Sequence, residues 1–137
     1  MAVYKGDRLM PIVGLGIDVI EKHRLEEAVS RYGERFLGRI FTKNERELCL
    51  SRKDSASCLA ARFAAKEALY KALAAFNDEN FILPFQSMEI LKDESGKPFF
   101  KFYDKALTTI NSIGAADFHL SITHSRIFAA AIVIIEM

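Results

Sequence analysis

Between Ile12 and Ile20, apolar residues alternate with small or acidic ones: Val13, Leu15, Ile17 and Val19 are interleaved with Gly14, Gly16 and Asp18. A period of two predicts a strand with two unlike faces. Asp18 shares its face with the two glycines, which leave space for something bulky to approach the backbone closely. The plainer alternative is a solvated carboxylate at a strand end. Leu25, Val29, Tyr32 and Phe36 then recur at helical spacing, with Arg24, Arg31 and Arg35 on a neighbouring stripe. This predicts an amphipathic helix to about Tyr32, with Gly33 as the interruption.

Thr42 to Glu45, "TKNE", has the form of a capping box and predicts a short helix running to about Leu50. A third helix is expected from about Ser55. "SMEILK" and "KPFFKFY" read as strands joined by the turn "DESG", and "DKALTTINSIG" as a short helix closed by Gly114. "FHLSITHSRIFAAAIVII" supplies two last strands around a turn at Thr123 to Arg126. Strand, helices, hairpin, helix, hairpin is the order of an α+β domain, with a long helix packed on a largely antiparallel sheet. No repeat or linker divides the chain, so one domain over residues 11–137 is expected, preceded by a loose arm over residues 1–10.

The long helix carries charges where a simple amphipathic pattern would not put them. Leu59, Phe63, Leu69, Tyr70, Leu73 and Phe76 form one apolar arc, and alanines from Ala60 to Ala75 fill most of the opposite side. An alanine side suggests close approach of another element or another subunit. Lys66 lies inside the large apolar arc, and Glu67 and Lys71 at the seam. Glu67 and Lys71 can pair as i and i+4, and Lys66 can snorkel. A carboxylate beside lysines can also hold a hard divalent cation and neighbouring phosphate oxygens, with Asp18 as a second ligand.

Composition narrows the alternatives. Of 137 residues, 50% are hydrophobic and 27% charged, as in a packed globular domain, and the net charge of +1 gives no global field for gripping nucleic acid. The apolar run from Ile127 to Ile135 is far short of the roughly 20 residues that span a bilayer, so no membrane segment is expected. The N-terminus has no basic start followed by an apolar run, which predicts a cytoplasmic protein. Cys49 and Cys58 have no metal-ligand spacing with the three histidines and are read as reduced core thiols.

"GIDVIEKHRLEEA" (16–28), "RFAAKEALYKAL" (62–73), "GKPFF" (96–100) and "HLSITHS" (119–125) resemble, in order and spacing, the holo-acyl-carrier-protein synthases, the short 4′-phosphopantetheinyl transferases. The resemblance runs from about Ile12 to the C-terminus. It implies a single domain of that fold type. The implied reaction transfers the phosphopantetheine arm of coenzyme A to a serine of apo acyl carrier protein, releases 3′,5′-ADP and supports fatty acid biosynthesis. By motif position it implies Asp18 and Glu67 as Mg²⁺ ligands, and Lys71 against the same phosphates. Arg62 and Lys66 are implied as coenzyme A phosphate contacts, with Gly96, Lys97, Pro98 and His124 bordering the nucleotide. Glu67 or a metal-bound water is the implied base. Arg24, Arg31 and Arg35 match the docking helix for an acidic carrier, and the family implies a homotrimer with sites between subunits. The arm "MAVYKGDRLM" and the stretch "AAFNDENFILPF" depart from the family pattern.

Two other classes are weighed against this reading. A metal-dependent phosphodiesterase or nuclease would also pair Asp, Glu and Lys, but the near-neutral charge and the helical placement of Glu67 and Lys71 argue against a nucleic-acid substrate. A non-catalytic carrier-binding module would not need Asp18, Glu67 and Lys71 all intact.

Overall fold

The computed structural model describes residues 2–5, 8–79, 81–114 and 117–137, with the backbone alone described over 2–5 and 8–10. Strands β1 (Ala2–Lys5) and β2 (Arg8–Glu21) lead into four helices: α1 (Lys22–Tyr32), α2 (Glu34–Ile40), α3 (Lys43–Leu50) and α4 (Ser55–Ala72). The hairpin of β3 (Met88–Lys92) and β4 (Pro98–Phe102), helix α5 (Asp104–Ile113), and strands β5 (Asp117–His124) and β6 (Phe128–Glu136) follow. The strands form two antiparallel sheets, one in the order β1-β2-β6-β5 and one of β3 with β4.

The expected α+β arrangement is present; of the expected arm, residues 1, 6 and 7 lie outside the described residues, and the rest differs from expectation. Instead of a loose arm, Ala2–Lys5 pairs antiparallel with residues 8–11, so backbone ladder bonds order the segment. Gly33 does separate two helices; its positive φ of 55° suits a residue without Cβ. The long helix ends at Ala72, and a one-turn 3-10 helix, Ala74–Phe76, follows it.

The alternating pattern of β2 determines how α4 sits. Gly14 and Gly16 face the helix, and a Cβ on Gly16 would lie 1.9 Å from the Ala68 carbonyl oxygen; on Gly14 it would lie 2.2 Å from that of Ala72. Glycine on the strand and alanine on the helix therefore let the two backbones nearly touch. Ala64, Ala65, Ala68, Leu69, Ala72 and Leu73 are buried there in one core with Val133, Ile135, Leu120, Met88 and Ile90. Each fully buried leucine contributes on the order of 2 kcal/mol. The alanine side is thus filled by the chain's own sheet, so it is not open to another subunit. The apolar residues of β2 point the other way: Leu15, Ile17 and Val19 are 63%, 59% and 60% exposed.

A second core gathers Leu25, Leu37, Phe41, Leu59 and Ala60 around Cys49 and Cys58. Those cysteines are bonded to each other as a disulfide, which corrects the expectation of reduced thiols. Helices α3 and α4 bring two residues that are nine apart in sequence to a Cα separation of 5.2 Å, within bonding range.

Candidate active site

Asp18 reaches α4 because it follows the two glycines on the inward face of β2, at the place where strand and helix are closest. Its Oδ1 accepts a hydrogen bond from Lys71 Nζ at 3.0 Å, and the same ammonium donates to the Ile17 carbonyl. The Asp18 side chain is 14% exposed and that of Lys71 50%, so the pair opens to solvent from the lysine side. Lys71 is thus tied to β2, not to Glu67 along its own helix. Burial, and then the Asp18 carboxylate, push the Glu67 carboxyl above its ordinary value, with Lys71 pulling it back. Two carboxylates share one lysine, a donor set short of positive charge. Among the described residues no group of three or more His, Cys, Asp or Glu side chains assembles. Two carboxylates nevertheless suit Mg²⁺, which commonly takes one or two and completes its octahedron with water and substrate phosphate.

The first half of the same helix lines a separate cleft of about 390 Å³, whose wall includes Arg62, Gly96, Pro98 and His124. Three of the residues expected to border a nucleotide are therefore brought together with Arg62, an expected phosphate contact. Lys97 is exposed beside them, but its described bonds are backbone ones to Asp93 in the turn, its amide donating to the carboxylate and its carbonyl accepting from the amide. Arg62 is 5% exposed; its Nη1 donates to the Cys58 carbonyl and to Cys58 Sγ, both at 3.2 Å, while its buried Nε has no hydrogen-bond partner. Burial lowers its pKa from the ordinary value, yet a guanidinium remains charged. A buried cation with an unused donor on a cleft wall fits an anionic ligand.

Arg52, Asp54, Ser57 and Lys92 also line that wall and were not singled out in the sequence. The signal available was "SRKDS", a basic and capping stretch immediately before a helix. Asp54 accepts from the Ser57 amide and hydroxyl, and these bonds hold its carboxyl below the usual range.

Lys66 departs from expectation. It is 0% exposed, and its ammonium donates to the Ile40 carbonyl (2.6 Å), Glu45 Oε1 (2.6 Å) and the Phe85 carbonyl (2.9 Å). All three donors are used inside the protein, so none is left for a coenzyme phosphate. Glu45 is the capping-box glutamate of α3: besides Lys66 it accepts from the Thr42 and Ile90 amides. Lys66 is therefore a structural tie between α4, α3 and the approach to β3.

Arg24, Arg31 and Arg35 are exposed on α1 and α2. Arg24 and Arg31 line one shallow groove on α1, and Arg35 lines another with Tyr32, Phe36 and a further arginine, Arg39. Arg39 lies four residues beyond Arg35, a spacing visible in the sequence.

The profile of the 4′-phosphopantetheinyl transferase superfamily matches residues 14–126. The chain is 44% identical over 125 residues to a holo-[acyl-carrier-protein] synthase of Maridesulfovibrio salexigens, covering 91% of this chain and 98% of that protein. It is 38% identical over 125 residues to one from Halothermothrix orenii, with the same coverage. Among solved structures, the synthase of Neisseria meningitidis superposes with a TM-score of 0.80 at 31% identity, over 93% of this chain and 100% of that one. The Bacillus anthracis synthase, in complex with CoA (3′,5′-ADP), gives 0.71 at 36% identity, over 93% and 97%. The chain belongs to the 4′-phosphopantetheinyl transferase superfamily, among its holo-[acyl-carrier-protein] synthases. It is accordingly an enzyme of the transferase class.

Proposed function

We infer that this enzyme moves 4′-phosphopantetheine from coenzyme A to a serine of apo acyl carrier protein and releases 3′,5′-ADP. The observation that carries this reading is the charge-deficient cluster that Asp18 of β2 forms with Glu67 and Lys71 of the helix whose other half lines an arginine-walled cleft. The serine oxygen forms a bond to the phosphorus attached to pantetheine, the bond from that phosphorus to the bridging oxygen breaks, and the nucleotide leaves. Asp18 and Glu67 would hold Mg²⁺, which when bound neutralises charge on the diphosphate. Lys71 offers its remaining donor to the same phosphates. Arg62, with Gly96, Pro98, Lys97 and His124 around the cleft, holds the nucleotide end. The serine proton passes to Glu67 or to a water at the site.

The two halves belong to different subunits in this reading. Glu67 lies five positions beyond Arg62, a rise of about 7.5 Å and a turn of about 140° around α4, so cleft and cluster open in different directions. The outer sheet face around Leu15, Ile17 and Val19 suits an assembly contact, because apolar side chains this exposed and contiguous mark interaction sites. A trimer closed through that face would set the cleft of one chain against the acidic cluster of the next. Arg24, Arg31 and Arg35 would steer the acidic carrier. No helix among the described residues is long and apolar enough to cross a membrane. We read the enzyme as cytoplasmic and as serving the carrier of fatty acid synthesis.

The test is incubation of apo carrier protein with coenzyme A, Mg²⁺ and this enzyme, followed by mass spectrometry. A gain of one phosphopantetheine unit is expected, and no gain with the Glu67→Gln variant. An unmodified carrier with the wild-type enzyme removes the assignment. For the shared site, mixing Glu67→Gln chains with chains inactivated at Arg62 under verified subunit exchange should restore a fraction of activity. Continued inactivity would mean that each site is built within one chain.

A further inference from the structure

The bonded pair Cys49 and Cys58 has a position that core packing alone does not require. Cys58 lies on the wall of the candidate nucleotide cleft, and its sulfur and carbonyl receive the only hydrogen bonds described for the Arg62 guanidinium. Cys49 is 0% exposed in the last turn of α3. The bond closes a short loop, and within that loop Arg52, Asp54 and Ser57 also line the cleft. A covalent staple therefore holds one wall of the cleft together with the seat of its buried cation.

Without the staple the loop keeps weaker ties. Arg52 donates its amide to the Cys49 carbonyl, Asp54 caps the first turn of α4, and Lys22 stands 3.7 Å from Asp54. These ties keep the fold, but they leave the wall more states to lose when a ligand binds, and ordering on binding costs affinity. We propose that the Cys49 and Cys58 pair is a reversible thiol–disulfide switch that sets the affinity of the cleft for the nucleotide part of coenzyme A, the oxidised form binding more tightly. The inference rests on the functional reading above.

The exchange balances with a dithiol as reductant. One of its thiolates attacks the sulfur of Cys58, the member of the pair on the cleft wall, and the Cys49 thiolate leaves. The second thiolate then displaces Cys58 from the mixed disulfide. Two electrons and two protons end on the cysteines, and the reductant becomes a disulfide. Reciprocity adds a second consequence: a nucleotide that prefers the oxidised form shifts the thiol–disulfide equilibrium toward it by the same factor.

The experiment uses 3′,5′-ADP, which has no thiol of its own, in calorimetric titrations of the intact protein. One sample is air-oxidised; the other is reduced with excess dithiothreitol and desalted without oxygen, and thiol counting and circular dichroism verify both. We expect the dissociation constant to rise about five- to tenfold on reduction, the scale of losing one pre-organised wall. A Cys49→Ser/Cys58→Ser variant should bind like the reduced form under both conditions, and 3′,5′-ADP should slow reduction of the native bond. Equal affinities in the two redox states of the wild type, two free thiols in the air-oxidised sample, or a redox response persisting in the double variant would each overturn the switch. If the nucleotide binds neither form, the transferase reading fails and this inference with it, whereas equal binding to both removes the switch alone.

Discussion

Lys66 and Lys71 stand five residues apart on one helix, and each holds a carboxylate, Glu45 at 2.6 Å and Asp18 at 3.0 Å. Lys66 is enclosed, and three acceptors occupy its three donors. Lys71 is half exposed, with two donations described and a second carboxylate, Glu67, pressed above its ordinary pKa nearby. Composition does not separate the clusters, since each pairs a lysine of the same helix with a carboxylate from another element. What separates them is whether the hydrogen-bonding capacity is filled from within the chain. A filled cluster is architecture; one left short of positive charge and open to solvent can bind and react.

The largest effect should fall on the open cluster. Replacing Glu67 by Gln keeps its shape but leaves a poor ligand for a hard cation, and we expect carrier modification to drop by roughly three to four orders of magnitude. Asp18→Asn should behave alike. The sign for stability is the opposite. A carboxyl whose folded pKa is raised makes the ionised form unfavourable to the fold at neutral pH, and that penalty fades as pH falls through the raised value. The metal-free Glu67→Gln protein should therefore melt no lower than wild type. Near-wild-type turnover at saturating Mg²⁺ would move both residues out of the site.

The sealed cluster should respond in reverse. Lys66→Ala leaves Glu45 buried without its counter-charge and should cost about 3–5 kcal/mol in denaturant unfolding. Lys71→Ala removes a half-exposed pair and should cost less than about 1 kcal/mol while impairing catalysis. A Lys66→Ala protein as stable as wild type would erase the distinction.

How far these clusters could be read from the chain depended on the range of the cause. The capping box of Thr42 and Glu45, the hairpin turn, and the glycines on the face of Asp18 are local patterns, and each stands in the structure as expected. Lys66 could not be placed that way. Its partners come from Ile40, Glu45 and Phe85, and a helical wheel shows only that a lysine lies among apolar residues. The disulfide depends likewise on how α3 meets α4. Alternation in β2 marks two faces without saying which is inner, and close helix packing put the glycines inside and Leu15, Ile17 and Val19 outside. The cluster of Asp18, Glu67 and Lys71 was raised by the misplaced charges of the helix and given its roles by motif resemblance, and the geometry then tied Lys71 to Asp18.

A smaller effect tests the open cluster by addition. A ligand that binds only the folded state stabilises it by mass action, so Mg²⁺ at ten times its dissociation constant should add about 1.4 kcal/mol to wild-type stability. The same addition should leave Glu67→Gln unmoved and should help Lys66→Ala as much as wild type, since the sealed cluster takes no part. Equal stabilisation of Glu67→Gln would locate the cation elsewhere.

The smallest effect concerns a surface that belongs to neither cluster. Arg24 follows the first-motif strand directly and is exposed on α1, where it shares a groove with Arg31 one heptad on. A solvated arginine contributes little to stability, so any consequence of reversing it must appear in encounter with an acidic partner. Arg24→Glu should raise KM for the carrier about fivefold at low salt, roughly 1 kcal/mol, with kcat and KM for coenzyme A unchanged. Raising ionic strength should shrink the difference between variant and wild type, because exposed charges are screened beyond about 10 Å at 0.1 M salt. A matching rise in KM for coenzyme A would place Arg24 at the nucleotide, and a salt-independent defect would point to lost packing in α1.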